Sequence, residues 1–281
     1  MVDYEYDVAR ESDRTALPPL PIAPPEQVAA LASPASPARP AGLVWHDTLV
    51  NGRRTRYAVA GAGEPLVLVH GLSGSTRWWR RNLPALASHA RVYLVDLPGF
   101  GAMSRSRGGF ALAEAAEWLY AWMRAISLPP ACLVGHSMGG YICLQLAARH
   151  PEAVHRLALV APAGIPTGHS IVDEVLPLAR AILQTSPWFY PILLADALRS
   201  GPSTVLRAAS EVVRGDVREL LAHVATPTLL IWGARDTLIP AAAGAVMREA
   251  LPNARLLTLD AAGHVAMFDR PHAFNSALLR F

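Results

Sequence analysis

From Leu43 onward, apolar and polar positions follow a regular rhythm. Leu43–Val50 and Arg53–Ala60 are two strand-like runs joined at Asn51-Gly52, a pair that favours a tight hairpin. Pro65–His70 is a short continuous apolar run, as expected of a strand buried on both faces. A helix is expected over Thr76–Ser88. Strands are then expected at Arg91–Asp96, Ala131–His136 and Val154–Val160, alternating with helices at Ala111–Ile126 and Met138–Arg149. Such alternation predicts a parallel sheet with right-handed crossovers. The rhythm breaks at Ala161, and residues 163–222 read as helices with prolines and no clear strand. It resumes with a strand at Pro227–Trp232, a helix at Ala241–Leu251, a strand at Arg255–Leu259 and a helix at Pro271–Phe281. The chain shows no internal repeat. An α/β core of residues 42–162 and 223–281, interrupted by a helical insertion at 163–222, fits this pattern better than two separate domains.

Residues 1–41 depart from the rhythm. They hold eight of the 24 prolines, in runs such as Leu17-Pro-Pro-Leu-Pro. A segment of this composition buries too little apolar surface to offset its ordering entropy, so a Pro/Ala-rich flexible tail is expected. It carries six acids against three arginines, leaving 22 arginines and 16 acids for the body.

Composition narrows the chemistry. The chain has 281 residues, 52% hydrophobic and 17% charged, which excludes a wholly disordered protein. All 25 basic residues are arginine. Without lysine there is no P-loop phosphate lysine, no Schiff base and no lysine general base. The two cysteines, Cys132 and Cys143, form no metal spacing and suit a reducing compartment or simple burial. The acidic N-terminus has no apolar h-region, and no uncharged run approaches the ~20 residues of a membrane span. A cytoplasmic protein with no stable membrane insertion and no nucleic-acid partner is expected.

The informative segment is Gly135-His136-Ser137-Met138-Gly139, between an apolar strand and an amphipathic helix. In that context Ser137 sits at the tip of a tight strand–turn–helix, where flanking glycines let the backbones pack closely. A serine hydroxyl needs a base, and the base needs an orienting group. Asp236 follows one strand of the sheet and His264 follows the next, so both fall on the C-terminal edge with Ser137. After the strand 154–160 comes Ala161-Pro-Ala-Gly164, with no carboxylate, which leaves Asp236 as the acid. His136 is expected to point away from the serine, and His70 to organise the loop His70-Gly-Leu-Ser-Gly-Ser75. His150 and His155 lack the H-E-x-x-H zinc spacing. Two backbone N–H groups, of Met138 and Leu72, are candidates for an oxyanion hole.

With these motifs the chain resembles the α/β-hydrolase fold family over about residues 43–281. The resemblance rests on Val69-His-Gly-Leu-Ser-Gly-Ser75, Asp96-Leu-Pro-Gly-Phe-Gly101, Gly135-His-Ser-Met-Gly-Gly140, Trp232-Gly-Ala-Arg-Asp236 and Gly263-His264. It implies a mostly parallel eight-stranded sheet flanked by helices, with residues 163–222 as a helical cap over the site. It also implies a Ser-His-Asp hydrolase without metal or organic cofactor, acting on a small-molecule apolar ester or related acyl substrate. A C–C bond hydrolase or a lactonase uses the same constellation, and a receptor on a hydrolase shell is the reading from another class. Ser73, Trp188, Phe189 and Val265 are candidates for the pocket lining, with Trp188 and Phe189 exposed by a proline-flanked helix break. One departure stands out: Phe100-Gly-Ala-Met-Ser104 carries one residue more than the family's usual turn.

Overall fold

A computed structural model of the chain describes residues 42–105, 111–166 and 175–281. The tail expected over residues 1–41 lies outside the described residues. The Asn51-Gly52 hairpin forms as its residue types dictate: both adopt positive φ, 51° and 74°. That pair of angles matches the twist of the flanking strands. It joins β1 (Val44–Val50) to β2 (Arg53–Ala60), with Val50 opposite Arg53.

Six further strands complete one sheet: β3 (Pro65–Val69), β4 (Arg91–Val95), β5 (Ala131–His136), β6 (Val154–Val160), β7 (Thr228–Gly233) and β8 (Ala254–Leu259). Their order is β1-β2-β4-β3-β5-β6-β7-β8. The β1–β2 and β2–β4 pairs are antiparallel and the rest are parallel. The continuous apolar runs of the central strands feed two cores. Val67, Val69, Leu133, Leu157, Leu159, Leu230 and Trp232 face one side. Leu66, Leu68, Val134, Ala158, Val160, Leu229 and Ile231 face the other. Burial on both faces is why these strands read as unbroken apolar segments and not as alternations. The first core is covered by α2 (Leu112–Ala125), α3 (Met138–Arg149) and α8 (Ala241–Ala250). The second is covered by α1 (Leu83–Ala87), α9 (Ala266–Asp269) and α10 (Pro271–Arg280).

The helix expected over Thr76–Ser88 is divided. Thr76–Trp79 forms a 3-10 turn and α1 begins only at Leu83. Pro84 lacks an N–H and its ring would collide with the carbonyl four residues back, so one continuous helix cannot run through it. The turn itself is pinned, because the Thr76 N–H donates to Asp96 Oδ1 at 2.6 Å. Asp96 also explains the extra residue after the Asp-x-x-Gly turn. Gly101–Met103 forms a 3-10 turn whose Ala102 N–H donates to Asp96 Oδ2 at 2.6 Å. Gly101 has φ +50°, and a Cβ there would strike the Asp96 carboxylate at 2.2 Å. Only glycine fits that approach. The short α9 was not legible as an element of its own.

Between β6 and β7 the described residues contain helices and no strand: α4 (Val175–Gln184), α5 (Tyr190–Ser200), α6 (Pro202–Arg214) and α7 (Arg218–Leu221). This insertion is bound to the core by Asp196 of α5, which is fully buried. Its carboxylate accepts hydrogen bonds from Ser75 Oγ at 2.7 Å and Trp78 Nε1 at 3.1 Å, and pairs with Arg77. Three donors from one core segment satisfy one buried charge. Asp196→Ala is expected to lower the unfolding free energy by roughly 2–4 kcal/mol, because the Ser75 and Trp78 donors are left buried and unpaired. Denaturant unfolding of the variant checks this. A change within the error of the measurement would mean that the contact does not anchor the insertion.

Candidate active site

Ser137 links β5 to α3 with φ 51° and ψ −115°, a region that a residue with a Cβ adopts only under constraint. The constraint is visible on both sides. The Ser137 N–H donates to Val160 O at 2.9 Å, and Ser137 O accepts from Tyr141 N at 3.0 Å and Ala163 N at 3.1 Å. The flanking glycines permit the packing. A Cβ at Gly135 would lie 2.4 Å from Gly139 O, and one at Gly139 would lie 2.5 Å from His70 O. Observed strain of this kind is characteristic of functional positions.

Asp236 and His264 meet as expected from their strand ends. The His264 Nδ1–H donates to Asp236 Oδ2 at 2.8 Å, and the Asp236 side chain is fully buried. The other oxygen, Oδ1, accepts the N–H groups of Leu238 at 2.9 Å and Ile239 at 3.0 Å. Two backbone donors therefore hold the carboxylate oxygen that the imidazole does not contact. With the proton on Nδ1, His264 Nε2 keeps a free lone pair. Ser137, Asp236 and His264 are all buried, with 7–8% of each exposed.

The loop after β3 is organised by His70. The Leu97 N–H donates to His70 Nε2 at 3.0 Å, which places the ring proton on Nδ1, 2.8 Å from Gly71 O. Gly71 O also accepts Gly74 N–H at 3.1 Å, and Ser73 takes φ +54° at the turn. Neither the Leu72 N–H nor the Met138 N–H donates to another described residue. Both remain available as donors.

His136 has a role that the sequence did not disclose. It was expected only to point away from Ser137. Its Nε2–H donates to the backbone carbonyl of His264 at 2.9 Å, and the two rings lie 4.8 Å apart. Asp269, also unanticipated, accepts the N–H of Gly263 at 2.9 Å and of Ser186 at 3.0 Å. His264 is thus fixed through its ring, its carbonyl and the amide before it. No local pattern could show the His136 contact, because its partners lie 128 residues apart in the chain.

The pocket candidates divide. Val265 and Ser73 are buried. The helix break forms as a 3-10 turn at Pro187–Phe189, but it exposes only one of the two aromatic residues. Trp188 is 71% exposed and Phe189 is 1% exposed. Phe189 packs edge-on to Trp78 at 4.9 Å and against Phe268 at 4.8 Å. Trp78 in turn lies 5.6 Å from His136. An aromatic column therefore runs from the insertion to the His136–His264 pair, and Trp188 is not part of it.

Burial lowers the basicity of both His70 and His136, that of His136 strongly, with the neighbouring His264 as a further cause at His136. Both are therefore neutral in the folded state where an unfolded histidine, with pKa ~6.5, begins to take up a proton. The unfolded chain then binds more protons, so stability is full above that pH and is lost as pH falls below it. Each group contributes a slope of up to about 1.4 kcal/mol per pH unit. Unfolding free energies measured between pH 7 and pH 5 should decline, and His136→Gln should reduce the decline. An unchanged slope in that variant would contradict a neutral buried His136.

The family model of the alpha/beta hydrolase fold matches residues 64–204 and 201–271. A dihydrolipoyllysine-residue acetyltransferase component of an acetoin cleaving system from Pseudomonas putida is 32% identical over 257 residues, covering 83% of this chain and 67% of that protein. A pimeloyl-[acyl-carrier protein] methyl ester esterase from Aeromonas hydrophila is 32% identical over 252 residues, covering 79% of this chain and 96% of that protein. Among solved structures, a serine hydrolase involved in carbazole degradation aligns with a TM-score of 0.73 at 24% identity, covering 85% of this chain and 98% of that one.

Proposed function

The chain belongs to the α/β-hydrolase fold family, and we propose that within it the chain is a serine hydrolase of small or medium carboxylic esters. The observation that carries this reading is the 2.8 Å Asp236–His264 hydrogen bond on the same sheet edge as the strained Ser137 turn. In this reading His264 Nε2 takes the proton of Ser137 Oγ as the oxygen attacks the ester carbonyl carbon. The carbonyl oxygen, now negative, is met by the N–H groups of Met138 and Leu72. His264 returns the proton to the departing alcohol, leaving an acyl group on Ser137. Water then repeats the sequence, giving the acid and free Ser137. Asp236 keeps the imidazole in one tautomer and stabilises its charge. Ser73 and Val265 border the site, and residues 163–222 act as its cap, with Phe189 anchoring the cap on Trp78 and Phe268.

The likeness to the methyl ester esterase, at 32% identity over nearly its whole length, supports ester chemistry. Ser137→Ala and His264→Ala are each expected to lower kcat by roughly 10⁴-fold, with the double variant no worse, because the residues act as a unit. The measurement is hydrolysis of a series of p-nitrophenyl esters, run beside lactones, with fluorophosphonate labelling of the serine. Near-normal turnover by Ser137→Ala would remove the nucleophile assignment. Turnover of lactones alone would remove the ester reading and leave the triad.

A further inference from the structure

α5 is apolar on both sides. Its inward face buries Ile192 and the only acid of the helix, Asp196, and its outward face carries leucines. Continuing from the 3-10 turn before it, Trp188, Pro191, Leu194, Ala195 and Leu198 fall on one side at helical spacing. Trp188, Leu194 and Leu198 are 71%, 62% and 74% exposed. α4 and α6 add Leu176, Leu183 and Leu206, at 57%, 78% and 62%. More than half of the large hydrophobic side chains exposed among the described residues therefore lie on this insertion. A water-facing helix of a globular protein normally shows the opposite arrangement.

Charge on these helices is sorted as well. Both acids of α4–α6 are engaged inward: Asp196 with Ser75, Arg77 and Trp78, and Glu211 with the N–H of Leu112 at 2.6 Å. All four arginines, Arg180, Arg199, Arg207 and Arg214, are exposed. Arg199 directly follows Leu198 of the stripe and lines an open cleft of about 290 Å³. Arg56, Arg77, Trp45, Thr76 and Asp96 also line it. Each oxygen of the one carboxylate lining that cleft is held by a backbone donor, Asp96 accepting the N–H groups of Thr76 and Ala102. Arg56 lies 5.1 Å over the Trp45 ring. Among the described residues, neither Arg56 nor Arg199 pairs with a carboxylate.

We propose that the outward face of the helical insertion docks on an anionic phospholipid surface, with lipid phosphate seated in the Arg56–Arg77–Arg199 cleft. The chemistry of the face selects this partner. Leucines and a tryptophan enter the headgroup boundary, and the flanking guanidiniums meet negative charge at the same depth. A second copy of this chain would present the same unpaired arginines to one another across a two-fold contact, which opposes self-association. The helices do not span: no described helix is long and apolar enough to cross a membrane. The docking stands apart from the ester reading and does not need Ser137.

The test is co-flotation of the full chain with phosphatidylcholine vesicles, with and without phosphatidylglycerol. The expected result is binding to the phosphatidylglycerol vesicles and release by salt. At about 1 kcal/mol per basic residue at the surface, Arg56→Gln with Arg199→Gln should weaken partitioning by roughly thirtyfold. Leu194→Ser with Leu198→Ser should weaken it at least as much as the loss of one arginine. All four side chains are outside the catalytic machinery, so hydrolysis of a soluble short ester should be unchanged in both variants, which also reports folding. Absence of binding to the anionic vesicles would overturn the proposal. So would binding that both double variants retain, or a dimer in size-exclusion chromatography that the leucine variant abolishes. Loss of ester hydrolysis in Ser137→Ala with vesicle binding intact would separate this inference from the catalytic one.

Discussion

The backbone of Ser137 is the constraint on which the site depends. A residue with a Cβ at φ 51° and ψ −115° costs of order 1–3 kcal/mol and persists only where its surroundings over-determine it. Here β6 grips the amide, α3 and Ala163 grip the carbonyl, and two glycines remove the atoms that would push the strand and helix apart. The serine hydroxyl is thereby presented at a fixed point of the sheet edge.

The arrangement works because β3, β5, β7 and β8 run parallel, so the segments that leave them emerge at one edge. Loops alone would not hold donors and acceptors to a few tenths of an ångström. The stiffening comes from buried neutral histidines. His70 ties the β3 loop to Leu97, and His136 ties the serine turn to the carbonyl of His264. Asp236 and Asp269 add backbone anchors from both sides of that histidine. These polar groups are buried at little loss because nearly every one is paired. His136 Nδ1 is an exception, lying without a partner against Gly71.

The helical insertion follows a different logic. Its contacts with the core include the buried carboxylate of Asp196, a column of aromatic rings led by Phe189, and the bonds of Ser186 to Asp269 and of Glu211 to Leu112. Its exposed large side chains include Leu176, Leu183, Trp188, Leu194, Leu198 and Leu206, with four exposed arginines on α4–α6. The same helix therefore separates two environments: a polar anchor beside the site and an apolar stripe toward the outside.

Sequence pattern by itself determined the order of strands and helices, and with it the position of Ser137, Asp236 and His264. β5, α3 and β6 begin and end where their apolar runs do, because hydrophobic periodicity and glycine placement are local properties of the chain. The Asn51-Gly52 turn was legible for the same reason. Tertiary structure alone decided what lies far apart in sequence. The pairing of His136 with the His264 carbonyl spans 128 residues, and that of Ser75 with Asp196 spans 121. Residues 187–189 mark the boundary between the two. The prolines made the break predictable. Which aromatic would be buried depended on Trp78 and Phe268 closing around Phe189, and no periodicity within the segment carries that information.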